Sequence, residues 1–123
     1  MKKPRKIKWL KAPAERNYPA AEAYLRLHFS DSAARNLIKK LRSAAVAEFA
    51  AKDILRASGL PMSEVEVFDW KVQNSEVEEG EPLSPILLVR RGEGQHVIVA
   101  DGFHRLCAVF SFDQKATVMC KIV

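Results

Sequence analysis

The stretch from Pro85 to Phe110, PILLVRRGEGQHVIVADGFHRLCAVF, constrains the fold more than any other part of the chain. Two apolar runs rich in branched side chains, PILLV and HVIVA, are joined by RRGEGQ, where Gly92 and Gly94 suit a tight turn with positive φ. The pattern predicts a β-hairpin. The second run leads through Asp101 and Gly102 straight into Phe103, Leu106, Cys107 and Phe110, which fall at i, i+3, i+4 and i+7 and predict a helix packed on the sheet. ATVMCKIV then closes the chain as a further strand.

The rest of the chain fits around that unit. At 123 residues and 48% hydrophobic composition it has enough apolar material for one domain that folds without staples. No run of eighteen apolar residues occurs, and the basic amino end lacks the apolar segment and cleavage site of a secretion signal, so a cytoplasmic location is expected. Cys107 and Cys120, one in a helical and one in a strand pattern, are expected to be buried small hydrophobes in a reducing compartment. The net charge of +5 is a property of the amino end: Lys2, Lys3, Arg5, Lys6, Lys8 and Lys11 leave only fourteen cations against fifteen acids elsewhere. Residues 1–11 are read as a flexible basic tail that solubilises the chain or touches phosphate backbones weakly and without sequence preference.

Residues 12–43 read as a helical extension. Pro19 suits a first helical position, and Ala21, Tyr24, Leu25 and His28 recur at helical spacing, with His28 near the negative end of the dipole. Asp31 or Ser32 is the expected cap of a second helix, with Ala34, Leu37, Ile38 and Leu41 on one stripe and Arg35, Lys39, Lys40 and Arg42 on a solvated face. Residues 44–123 read as the main domain. A short strand over Ala45 to Phe49 is followed by a helical turn from Lys52 to Ser58, closed by Gly59 and Pro61. Ser63 and Glu66 match a capping box for a helix ending at Gly80, within an acidic stretch that carries seven acids and only Lys71 between Glu64 and Glu81. Such a face repels nucleic acid.

The junction at Asp101–Arg105 raises a question of charge. A cation in the first turn of a helix costs about 0.3–1 kcal/mol unless something negative lies beside it. One answer is a ligand: the leading N–H groups of the helix point outward, Gly102 admits close approach, Arg105 forks onto phosphate or carboxylate oxygens, and His104 donates or transfers a proton. A magnesium ion on Asp101, or a ligand hydroxyl, would relieve repulsion between that carboxylate and a phosphate. The other answer is internal: Asp101 caps the helix and Arg105 pairs with it or with a glutamate. The two answers predict opposite behaviour when Arg105 is removed, lost ligand affinity in the first case and lost stability in the second.

The order of elements, with VIVADGFHRLCAV leading from strand to helix and MCKIV as the last strand, resembles the core of the ParB and sulfiredoxin-like superfamily over about eighty residues from Ala44 to Val123. YPAAEAYL, AKDILRASGLP and EPLSPILLV are also similar to small bacterial ParB-like proteins. The resemblance implies an α/β (α+β) fold, a small mixed sheet with packed helices, carrying two amino-terminal helices outside that core. It further implies nucleotide phosphates at this junction: CTP in ParB proteins, ATP in sulfiredoxins, and ADP or ATP in a free-serine kinase whose loop is close to DGHHR. The phosphate ligands would be Gly102, Phe103, His104 and Arg105, and the metal ligand Asp101.

The departures limit what carries over. Phe103 stands where sulfiredoxins hold the reactive cysteine, so sulfiredoxin activity is not expected. His104 and Arg105 are the only basic residues in a loop that carries several arginines in ParB proteins, and a helix-turn-helix domain like theirs is not expected. By the resemblance Glu48, the one acid in the first predicted strand, would be the counterpart of the kinase base; the alternative is an exposed edge-strand residue. With Asp101 and His104 it completes the catalytic candidates, and no nucleophile is paired with a base, so catalysis is left open. The sequence thus supports a nucleotide- or phosphate-binding protein, with phosphotransfer as its enzymatic form. The alternative is a non-catalytic module that engages a protein or nucleic-acid partner.

Overall fold

In the computed structural model, β2 (Ile86–Val89) holds four consecutive buried residues because it lies inside a sheet covered on both faces. Side chains alternate along a strand, and here the alternation divides the core. Ile86 and Leu88 join one apolar cluster, Leu87 and Val89 the other. An unbroken apolar run is what such two-sided burial demands. The structure describes residues 7–59 and 80–123. The remaining elements are α1 (Asn17–Leu25), α2 (Asp31–Ser43), β1 (Ala47–Ala50), α3 (Ala51–Ala57), β3 (Ile98–Asp101), α4 (Phe103–Phe112) and β4 (Thr117–Ile122). The predicted helix ending at Gly80 falls outside the described residues.

The sheet order is β1-β4-β2-β3. The predicted hairpin is present: β2 and β3 pair antiparallel, with a register shift between Leu87 and Leu88. β4 returns through α4 to lie parallel to β2, and β1 joins the outer edge antiparallel to β4. The class is therefore α+β, with helices on a mixed four-stranded sheet.

One face is covered by α3 and α4, which bury Ala51, Ile54, Leu55, Leu106, Cys107 and Val109 against Ile86, Leu88, Val118 and Cys120. The opposite face is covered by α1 and α2 through Tyr18, Ala21, Leu25, Ala34, Ile38 and Leu41. The two amino-terminal helices are thus half of the core, packed on Leu87, Val89, Ile98 and Ala100, and not an appendage. Three hydrogen bonds fix them. The Ser84 hydroxyl donates to the Asn17 side-chain oxygen and accepts from the Ala14 amide at 2.9 Å. Lys121, only 7% exposed, sends its ammonium from β4 to the Arg42 carbonyl at 2.8 Å, satisfying an orphan acceptor at the negative end of α2.

Local signals are met with small displacements. α1 begins at Asn17, two residues before Pro19, and ends at Leu25, so His28 lies in the turn beyond it. The cap of α2 is Ser30, whose hydroxyl accepts from the Ala33 amide at 3.3 Å; Asp31 and Ser32 are already helical. Of the expected free tail, residues 8–10 are held: the Leu10 amide donates to the Leu83 carbonyl at 2.8 Å and the Leu83 amide to the Lys8 carbonyl at 2.9 Å, with Ile7 and Trp9 packed against the core.

Cys107 and Cys120 are buried and unbridged, and burial pushes both thiols up to about 11, partly opposed at Cys120 by the nearby Arg90 charge. Because the fold favours the neutral thiol, its contribution is intact below the titration range of the unfolded thiol and is lost as pH rises towards 11. The loss is roughly 1.4 kcal/mol per pH unit per thiol across that window. The urea midpoint should fall steeply between pH 9 and 11, and less steeply in Cys107→Ala. Equal slopes in the two proteins would show that this thiol does not drive the alkaline loss.

Candidate ligand cleft at the β3–α4 junction

β3 ends at Asp101, and the chain enters α4 through Gly102 at φ 100°, ψ 20°, a left-handed conformation natural to glycine. The Leu106 amide makes the first helical bond to the Gly102 carbonyl at 2.9 Å. A Cβ at Gly102 would lie 3.0 Å from Ile86 Cγ1 and 2.7 Å from an Arg105 guanidinium nitrogen. The guanidinium therefore folds back across the glycine. There its Nη2 donates to Asp101 Oδ2 at 3.0 Å, and both side chains are only 16% exposed.

This pair supplies the negative charge that the first-turn cation requires. Asp101 is not the cap of α4: it belongs to β3, Gly102 takes the cap position, and the carboxylate is turned to Arg105. Arg105 Nε is buried with no hydrogen-bond partner. Gly102, lacking a side chain, supplies no oxygen to the first turn of α4.

Beside the junction lies a cleft of about 590 Å³ between α1 and β3. Among the described residues its polar lining is Tyr24, His28, Ser58, Arg91, His96 and Asp101, joined by Gly102, Phe103 and Val97 to Ala100. The chain advances about 3.3 Å per extended residue, so His96 and Gly102 lie at most roughly 20 Å apart. His96 is fixed by shape at its end: a Cβ on Gly59, at φ 80°, would fall 2.6 Å from the imidazole, so the ring rests on bare backbone. Ser58 donates its hydroxyl to the Leu55 carbonyl at 2.7 Å.

The candidate residues thus separate. Asp101, Gly102 and Phe103 line the cleft, whereas His104 and Arg105 do not. Glu48 sits on β1, at the opposite edge of the sheet from β3, and accepts from the Thr117 hydroxyl at 2.8 Å. It is not placed to act as a base at the junction. Tyr24, His28, Arg91 and His96 were not singled out as site residues from sequence; the β2–β3 turn brings in Arg91, the end of α1 brings in Tyr24, and the turn beyond α1 brings in His28.

Electrostatically the cleft favours anions. The one carboxylate among its described residues is neutralised by Arg105, while Arg91 forms no ion pair among the described residues and the two imidazoles supply further donors. The donor set does not fit magnesium. Asp101 is the single carboxylate among the described lining residues, a guanidinium already lies 3.0 Å from it, and no three His, Cys, Asp or Glu side chains converge among the described residues. No helix among the described residues is long and apolar enough to cross a membrane.

No protein-family model, curated protein or solved structure matches the chain.

Proposed function

We propose that the chain binds a small phosphate-bearing ligand, a nucleotide in the first instance, in the cleft between α1 and the β3–α4 junction. One observation carries this reading: a concave site of about 590 Å³, within the usual size range of ligand pockets, whose only acid among the described residues is internally paired and whose remaining described polar lining includes Arg91, His28 and His96. The resemblance of VIVADGFHRLCAV to nucleotide-binding junctions supports the same ligand class. The phosphate contacts are reassigned accordingly. Arg91 and His96 provide the cationic and donor side chains, Gly102 leaves the space into which the Arg105 guanidinium folds, and Arg105 holds Asp101 out of the anion's way.

The proposal is one of binding. Phosphotransfer would need in addition a base beside the acceptor hydroxyl, whether that hydroxyl belongs to a substrate or to the protein, and no residue is assigned that role.

Thermal melts with ATP, ADP, CTP and pyrophosphate test it. A ligand at one hundred times its dissociation constant stabilises the fold by about 2.7 kcal/mol. Arg91→Ala, at an exposed position, should melt as the parent does but bind about tenfold or more weakly, in line with a lost charge-assisted bond worth roughly 1.5–3 kcal/mol. Absence of any shift with all four compounds would end the reading.

A further inference from the structure

We propose that Tyr24 and His28 form an aromatic subsite that takes the planar heteroaromatic ring of the ligand, making the cleft selective for nucleotides over simple phosphates. The inference rests on the phosphate-ligand reading above and assigns the other half of the molecule. Tyr24 is 43% exposed, yet it belongs to a helix whose neighbouring apolar residues, Ala21 and Leu25, are fully buried. Its ring lies 5.2 Å from that of His28 at an interplanar angle of 55°. Both rings line the same cleft as Gly102 and Phe103.

The backbone that carries the pair is held in place before any ligand arrives. Beyond α1 the chain continues in hydrogen-bonded turns, with the Leu27 amide bonded to the Tyr24 carbonyl at 3.0 Å and the His28 and Phe29 amides to the Leu25 carbonyl at 3.0 and 2.8 Å. Little ordering therefore remains when a ring stacks there. Ala20, one turn before Tyr24, keeps the adjoining wall low.

Stacking on an aromatic face accepts every base, since each has a π-face, and the rings read no base edge. ATP, GTP and CTP should then bind within about tenfold of one another. The discrimination lies between ligands with and without a ring, by roughly tenfold or more.

Calorimetric titration of the full chain with ADP and with pyrophosphate tests this. For the parent, ADP should bind at least about tenfold more tightly than pyrophosphate. In Tyr24→Ala that preference should collapse through loss of ADP affinity, while Tyr24→Phe should keep it. Circular dichroism and melts on both variants check that the fold is intact. An unchanged preference in Tyr24→Ala would overturn the subsite while leaving the phosphate cleft standing. Failure of the parent to bind either compound would overturn both.

Discussion

Replacing Gly102 by alanine is expected to destabilise the protein by about 2–4 kcal/mol and to disturb the cleft at the same time. Two separate effects add. The residue sits at φ 100°, where a side chain costs on the order of 1–3 kcal/mol in backbone strain. The new methyl would also lie 3.0 Å from Ile86 Cγ1, a fully buried atom group in the central strand with no room to retreat, and 2.7 Å from the Arg105 guanidinium. Ile86 is wedged in the core and Arg105 is a flexible arm, so Arg105 should yield, leaving Asp101 and exposing its charge to the cleft. The expected result is a lowered urea midpoint together with weaker ADP binding. Gly59→Ala, whose methyl would meet the His96 ring at 2.6 Å, provides the comparison at the other end of the cleft. A Gly102→Ala protein as stable as the parent would mean that the junction relaxes freely and that neither strain nor close packing governs it.

The hairpin, α4 and the final strand were legible because each rests on local chemistry: two branched apolar runs around Gly92 and Gly94, then an i, i+3, i+4, i+7 stripe. The role of the amino-terminal helices was not. Their contacts are with Leu87, Val89, Ile98 and Ala100, more than forty residues away in sequence, and no periodicity within residues 12–43 announces which surface will receive them. The same separation hid most of the cleft. Tyr24 and His28 share helical spacing with Ala21 and Leu25 and so read as one stripe, yet only Ala21 and Leu25 are buried. Arg91 looked like a turn residue because it is one; its place in the cleft follows from how the hairpin lies against α1. Asp101 was ambiguous for a different reason. A carboxylate before a helix serves as a cap or as an ion-pair partner, and the choice turned on Gly102 taking the cap position one residue later.

That choice changes what removal of Arg105 should do. With the guanidinium on Asp101 at 3.0 Å and both side chains 16% exposed, Arg105→Ala leaves a largely buried carboxylate unpaired. Two gains offset part of the loss: the buried Nε without a partner disappears, and so does a cation in the first turn of α4. A net cost of about 1–2 kcal/mol is expected, below the roughly 3–5 kcal/mol typical of breaking a fully buried pair. Asp101→Ala has no such offsets. It strands a guanidinium at the positive end of the helix, leaving Nε and Nη2 both without acceptors, and should cost about 2–4 kcal/mol. The double replacement should be less damaging than the sum of the two, because the second deletion removes the charge that the first left alone. Ligand affinity separates the two roles of Asp101. In Arg105→Ala the uncovered carboxylate faces the cleft and should weaken ADP, whereas in the double variant affinity should return towards the parent value. Urea midpoints and ADP titrations on the three variants measure both. If Arg105→Ala is as stable as the parent and Asp101→Ala no worse, the pair is a surface contact of no consequence, and the charge beside α4 must be balanced by a bound anion instead.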